Sequence, residues 1–331
     1  MTARTHGGTS APSAPTAFVA VSVATVWTSP ASPRPADRPA LACPADIPRW
    51  LASMTLADRR DLTGSQATQT QALYGAEVRI LTEQGDWAEV AVPGQPTPKN
   101  PLGYPGWVPR RQLAVSQEFA ALREDLPSAL VGKAPVTGLY GDAALTREEM
   151  RVSAGTRLPV LGQARGEPPS VQVATPGHGP KWLPARDVSI CQPGSGIPPA
   201  GGASLVAFAR LFLGLPYLWG GRSGFAFDCS GFTSAVYQVH GITIPRDADA
   251  QARHGGGRPV SADELLPGDL LFYAADHGSG HIYHVTMYAG GRQMIEAHDA
   301  ATGVRITGAD TGGNYWGARR FLHPGHGKYA A

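Results

Sequence analysis

Up to about residue 192 the chain is a series of short runs in which apolar and polar residues alternate. That period of two belongs to half-buried strands. The apolar run from Phe18 to Trp27, interrupted by Ser22 and Thr25, reads as one strand. Leu73 to Leu81 leads into Gln84-Gly85-Asp86, and alternation resumes at Trp87-Ala88-Glu89-Val90-Ala91-Val92. A Gly-Asp turn between two such runs predicts a hairpin. Gly103-Tyr104-Pro105-Gly106-Trp107-Val108-Pro109 and a further short strand follow, so this region predicts a small barrel with a helical insertion near residues 44–60. A weaker set from Lys133 to Ile190 carries Trp182-Leu183-Pro184 where the first set carries Trp107-Val108-Pro109. Two related barrels are expected, the second degenerate.

Beyond residue 202 the period lengthens. Ser204 can cap a helix with Leu205, Phe208 and Phe212 on its apolar face and Gly214 at its end. A second helix is expected to begin at Cys229 or Ser230, bury Phe232, Ala235, Val236 and Val239, and stop at Gly241. Strands are predicted at Leu270–Tyr273, His284–Tyr288 and Gln293–His298. Helices followed by an antiparallel sheet make an α+β domain. The Gly/Pro-rich tract from Gln192 to Gly202 reads as the linker between the two halves.

The 331 residues suit two or three domains. With 16% charged residues and a net charge of +2, there is no electrostatic case for nucleic-acid binding. The arginines are scattered and no phosphate-cradling glycine loop occurs. Three cysteines, Cys43, Cys191 and Cys229, allow no disulfide framework. No stretch approaches the ~20 apolar residues of a membrane span, and the N-terminus lacks a signal-peptide pattern. A cytoplasmic monomer is the expectation, with no membrane or nucleic-acid partner.

Eight of the ten histidines follow residue 192, which places the chemistry in the C-terminal half. Tyr217-Leu218-Trp219-Gly220-Gly221 precedes Asp228-Cys229-Ser230-Gly231-Phe232. A cysteine in the first turn of a helix faces free N–H groups and the positive end of the dipole, which favour a thiolate. The glycines are expected to let a substrate backbone come close. A lone cysteine is more often a buried structural residue, but flanking Asp and Ser make that reading less natural here. A thiol nucleophile needs a base, and His284 opens an alternating strand. Glu296 and His298 share one face of the next strand, and either can hold the imidazole in the correct tautomer. A bulged or three-residue turn at Ala289-Gly290-Gly291, with glycine in the left-handed region, would put Glu296 directly across from His284.

At this point the chain resembles the NlpC/P60 cysteine peptidases. The resemblance is carried by Tyr217 with Cys229, the Asp228–Phe232 block, Pro245-Arg246-Asp247-Ala248, Leu266-Pro267-Gly268-Asp269-Leu270, and His284 with Glu296. It implies a papain-like fold in which Cys229 attacks, His284 is general base and then acid, and Glu296 is the third polar residue, with His298 as runner-up. Tyr217, Asp228 and Ser230 match positions used around substrate. The N-terminal half is similar to the bacterial SH3 domains of γ-D-glutamyl-L-diamino acid endopeptidases, through Thr70–Gly75, Gln84–Trp87 and Gly103–Pro109.

The resemblance thus divides the chain into a disordered N-terminus (1–16), a first SH3 domain with its insertion (17–125), a second, degenerate SH3-like domain (126–192), a linker (193–203), the peptidase domain (204–324) and a tail (325–331). It implies release of L-Ala-γ-D-Glu from murein peptides with a free N-terminus, in peptide turnover or recycling, without a cofactor. The implied amine clamp uses Tyr104, Asp228 and an acid from the first SH3 domain, for which Gln71, Glu77 and Glu83 stand near the right place. An acylated amine would leave such a carboxylate buried and unpaired, a discrimination on the order of 2–5 kcal/mol.

Three rivals stand beside this reading. One is a zinc site on His277, His281 and His284, weakened by the turn-like Asp276–Gly280 segment and the missing fourth ligand. The others are a catalytically dead wall-binding protein and an amidase or acyltransferase of the same fold. Trp87, Trp107 and Trp182 read as core and hinge residues, and Cys43 and Cys191 carry no assigned chemistry.

Overall fold

A computed structural model describes residues 14–199 and 201–322. The expected N-terminal disorder falls largely on residues outside that range, as does the C-terminal tail, and Thr16 already belongs to a strand.

The region before the linker folds as two seven-stranded antiparallel sheets. In the first, the spatial order is Thr68–Leu73, Val23–Trp27, Tyr104–Pro109, Trp87–Val92, Glu77–Gln84, Thr16–Val19 and Leu113–Ala114. In the second, it is Glu148–Ser153, Val136–Tyr140, Lys181–Pro184, Ser170–Val173, Arg157–Ala164, Ser128–Val131 and Val188–Cys191. With strands numbered along the chain, both sheets read 3-2-6-5-4-1-7. The two Trp-containing segments are sixth strands in their sheets, and each runs into a short 3-10 turn. No pairing joins the outermost strands of either sheet among the described residues, so the closed barrels expected from the sequence are not found.

Local chemistry explains most boundaries. The Gly85-Asp86 turn closes the anticipated hairpin, with Gln84 opposite Trp87 and Gly85 at φ 56°. The Phe18–Trp27 run, expected as one strand, is two: Thr16–Val19 pairs with Glu77–Gln84 and Val23–Trp27 with Thr68–Leu73. Both halves are apolar because both are buried, which erases the alternation that would have marked the break. The insertion is helical as expected, with helices Ile47–Ser53 and Leu56–Ser65. Asp46 caps the first, and Thr55 with Asp58 forms a capping box on the second.

After the linker, helix Gly202–Ala209 is capped by Gly201, not Ser204. The Ser204 hydroxyl instead donates back to the Gly201 carbonyl from inside the first turn. Helix Cys229–Val239 ends before Gly241, which has φ 79°. It packs on a six-stranded antiparallel sheet whose centre holds Leu270–Ala274 and Ile282–Gly290. Phe208, Phe212, Phe227, Phe232, Val236 and Phe272 fill the space between them.

The first sheet and its helical insertion share a core with the C-terminal unit. Trp27, Trp50, Leu62 and Leu73 pack in one cluster with Leu218, Phe225 and Ala226. That shared core fixes a wall of the first sheet over the N-terminus of the Cys229 helix.

Candidate active site

Cys229 is the first residue of its helix, and Asp228 is the N-cap, accepting from the Gly231 amide at 2.7 Å. The amides of Cys229 and Ser230 have no acceptor among the described residues, so the helix end presents free N–H donors beside the sulfur. Gly231 is required by space: a Cβ there would lie 2.1 Å from the Gly221 carbonyl oxygen. Gly220 donates its amide to Asp228 Oδ2 at 2.9 Å. Gly231 lets two backbone segments touch and Gly220 makes room for the Thr68 side chain, and neither lines the cleft, contrary to the expected role in substrate approach.

His284 lies on the neighbouring strand, buried, with Nε2 2.7 Å from Glu296 Oε2. That contact leaves Nδ1 for the sulfur. Burial alone would push the imidazole toward its neutral form. Attraction to the Cys229 sulfur and to Glu296 outweighs it and raises the pKa to about 9. Glu296 is almost wholly buried, which favours its neutral form, yet His284, His298 and Arg305 together hold its pKa down to about 2. Arg305 Nε donates to Oε1 at 3.0 Å, and Thr307 adds a 3.3 Å contact.

The hairpin that brings His284 and Glu296 together is bulged between Tyr288 and Gly290, with Gly290, Gly291 and Arg292 all in the left-handed region. Its register differs from the one anticipated. Met287 faces Ile295 and Tyr288 faces Met294, so Glu296 continues opposite Thr286 and meets His284 on the diagonal. The two side chains still share one face, because the shift is by two residues. His298 contacts Glu296 at 3.3 Å and stands edge-on to the His284 ring, 5.6 Å between centroids. His284, Glu296 and His298 also have ligand atoms within 4.8 Å of one another. This is a different trio from the His277, His281 and His284 of the rival zinc reading. His277 sits in a kinked turn away from the cleft, and His281 lines the cleft.

The cleft has a volume of 310 Å³, and Cys229 and Ser230 lie on its floor. Gln69 and Tyr104 of the first sheet and Lys99 of its 93–103 loop line one part of it, and Asp247, His281 and Tyr283 line it from the peptidase unit. The buried Tyr104 hydroxyl donates to Asp247 Oδ1 at 2.7 Å. Burial and the Asp247 charge push its ionisation well above the usual range. The Lys99 ammonium lies 3.0 Å from Asp247, donates to the Tyr104 hydroxyl and sits 4.5 Å over the Tyr104 ring.

Asp228 reaches the cleft, but its oxygens are already engaged. Besides the Gly231 and Gly220 amides it accepts from Arg246 Nη1 at 3.0 Å and Nη2 at 2.7 Å, a buried bidentate pair. Ser230 Oγ accepts from the same Arg246 Nη1 at 2.9 Å. Tyr217 is buried close to Cys229; burial first, and then the negative charge of Cys229 and Asp228, keeps its phenol protonated. None of the three residues considered for the position of the acid lines the cleft. Gln71 is buried against Arg222 and Ser223, Glu77 pairs with Arg79, and Glu83 pairs with Arg110.

The sequence pattern assigns no role to Arg246, although Pro245–Ala248 carries part of the family resemblance. Arg246 Nε donates to Thr70 and its amide donates to the Pro96 carbonyl, so one side chain ties the first sheet to the nucleophile helix. Arginine beside aspartate in Pro245-Arg246-Asp247 was the available signal. Lys99 and Gln69 carried none, because loop and strand-edge residues show no period.

A thiol at a helix start, an imidazole on the adjoining sheet and a buried acid behind it define a papain-like cysteine hydrolase. The chain belongs to the NlpC/P60 family of cysteine peptidases. That family's pattern matches residues 214–323, and the pattern described as the YKFC SH3b2 domain matches residues 133–190. The chain is 43% identical to the gamma-D-glutamyl-L-lysine dipeptidyl-peptidase of Bacillus cereus (strain ATCC 10987 / NRS 248), over 92% of this chain and 91% of that one. It is 38% identical to the Bacillus subtilis (strain 168) protein of the same name, over 86% of this chain and 90% of that one. The crystal structure of an NlpC/P60 family protein from Bacillus cereus ATCC 10987 superposes with a TM-score of 0.87 at 43% identity, covering 93% of this chain and all of that one. No helix among the described residues is long and apolar enough to cross a membrane.

Proposed function

We propose that this peptidase hydrolyses the γ-D-glutamyl–L-diamino acid bond of murein peptides that begin with a free L-Ala, releasing L-Ala-γ-D-Glu. The thiolate of Cys229 adds to the γ-carbonyl carbon of D-Glu, and the carbonyl oxygen takes up the charge beside the free amides at the helix start. His284 gives its proton to the departing amine, then takes one from the water that clears the thioester. Glu296 holds the imidazole through Nε2 and stabilises its charged form. Tyr217 and Ser230 border the nucleophile, and no cofactor takes part.

The single observation that carries the substrate choice is the wall contributed by the first sheet. Tyr104, Asp247 and Gln69 surround an ammonium, at present that of Lys99, with a phenol oxygen, a carboxylate, an amide oxygen and an aromatic face. A free substrate α-amine would find the same partners by taking the place of Lys99, whereas an acylated one brings no charge with which to displace Lys99 from Asp247. On this reading Asp228 shapes the helix start and Asp247 supplies the charge that faces the amine. Both sheets are SH3-like modules, within the domain limits expected from the sequence, and the enzyme acts as a monomer on soluble peptide fragments.

The test is incubation with L-Ala-γ-D-Glu-L-Lys and its N-acetylated form, with mass detection of the dipeptide and Cys229→Ala as the blank. Cleavage of the free peptide alone is the expected result. Equal cleavage of both would remove the amine requirement, and cleavage of neither would remove the substrate class.

A further inference from the structure

A second cavity, of 320 Å³, opens where the two sheets and the peptidase unit meet, away from the nucleophile. Its charged lining consists of Arg123, Arg157, Arg222 and Glu77. Glu77 is bound by Arg79 at 2.7 Å, outside the cavity lining. None of the three arginines forms an ion pair among the described residues.

Arg222 is the most demanding of them. It is 4% exposed, and its guanidinium donates only to neutral oxygens, Ser234 Oγ at 3.1 Å and Gln238 Oε1 at 2.9 Å. Its Nη1 has no partner among the described residues. Arg157 donates to Ser128 Oγ at 3.1 Å and to the Ser195 carbonyl, and Arg123 donates to the Gly75 carbonyl at 2.5 Å. A guanidinium does not shed its proton in a protein, so each remains a cation held among neutral acceptors. Burial lowers the pKa of all three; at Arg123 the Glu77 charge works against that and the Arg157 charge adds to it, while among the described residues no carboxylate stands within ion-pair distance of any of them. For Arg222, buried with neutral acceptors only, this is costly unless an anion completes it. The volume falls at the small end of the range for ligand pockets.

We propose that this junction is an anion-binding site in which Arg123, Arg157 and Arg222 receive a small oxyanion bearing two or more negative charges, carboxylate or phosphate. Each arginine comes from a different part of the chain: the helix Gln117–Asp125, the second sheet, and the segment leading to Cys229. A bound oxyanion therefore clasps three elements together. Ser234 and Gln238, the present acceptors of Arg222, lie on the nucleophile helix, so occupancy also stiffens the base of the catalytic unit. The site shares no lining residue with the catalytic cleft.

The test is thermal unfolding and calorimetric titration of the full chain with citrate, inorganic phosphate and pyrophosphate, against sodium chloride at matched ionic strength. A saturable rise in Tm with at least one of the three, absent with chloride, is expected, and the anion that saturates lowest separates a polycarboxylate from a phosphate ligand. Arg123→Gln and Arg157→Gln, at half-buried positions, should each weaken binding about tenfold, while Lys181→Gln should not. Cys229→Ala should bind the anion unchanged, so loss of peptidase activity and loss of this site are read separately. A Tm that follows ionic strength alone would overturn the proposal, as would a saturable response retained in full by both arginine variants.

Discussion

The two sheets before the linker have one strand order and two different relations to the active site. The first contributes a wall of the cleft, and the second contributes none of its lining. Two additions separate them. Between its second and third strands the first sheet carries the helical insertion, whose Trp50 and Leu62 join the core shared with Leu218 and Phe225. Between its fifth and sixth strands it carries the longer loop, residues 93–103, which holds Lys99 and brings Pro96 to Arg246. The corresponding loop of the second sheet spans only residues 174–180. That sheet touches the peptidase unit from behind, where Ser153 Oγ accepts from the Gly224 amide at 2.8 Å. A repeated architecture thus became part of a binding site through its insertions, with its strand pattern unchanged.

The sharpest way to break this contrast is at Arg246. Arg246→Met leaves the buried Asp228 carboxylate without its cation and cuts the tie to Thr70, so unfolding by denaturant should show a loss of about 3–5 kcal/mol. Ser153→Ala removes one neutral contact from the second sheet and should cost about 1 kcal/mol. Equal losses would mean that both sheets are coupled alike.

Glu296→Gln should separate chemistry from selection. His284 loses its proton as pH rises through about 9, which sets the alkaline limb of kcat/KM for a protonated imidazole beside a thiolate. Removing the Glu296 charge takes away part of what raises that value, so the limb should move to lower pH. The preference for free over acetylated peptide should stay as it was. By the same linkage, the stability owed to the raised His284 is complete below the ordinary value of 6.5 and is lost as pH climbs through about 9. A pH profile unmoved by the substitution would remove Glu296 from the relay.

Tyr104→Phe should do the reverse, raising KM for the free peptide about tenfold, worth about 1.4 kcal/mol, with little change in kcat. Lys181→Gln, at the start of the matching strand in the second sheet, should leave both parameters alone. The smallest effect is expected at Lys99. Its ammonium occupies the place proposed for the substrate amine in a half-exposed ion pair, which is worth at most about 1 kcal/mol. Lys99→Met should therefore lower KM for the free peptide a few-fold. A rise in KM instead would make Lys99 a ligand for a negative group of the substrate.

Much of the catalytic half was legible because its signals are local. A cap residue beside Cys229, apolar spacing through Val239 and glycines at the hairpin each act over a few residues. The register at His284 was not, since a shift of two keeps every side chain on its face and leaves no trace in the alternation. The open sheets escaped for a similar reason: short alternating strands read alike whether or not their edges meet. The wall of the cleft was least visible. Gln69, Lys99 and Asp247 come together because Trp27, Trp50, Leu218 and Phe225 share a core and Arg246 bridges to Thr70 and Pro96, and no spacing along the chain encodes that meeting.

That common core also bears on how the enzyme can be divided. A fragment starting at residue 204 would keep sulfur, imidazole and acid, yet Leu218, Phe225 and Ala226 would lose the partners that now shield them from solvent. It would present an oily patch beside its own catalytic groove and expose the guanidinium of Arg246, a recipe for self-association and indiscriminate binding. Excision of the catalytic half is therefore expected to yield a sticky, unselective hydrolase, and substrate choice should return only when the first sheet is supplied on the same chain.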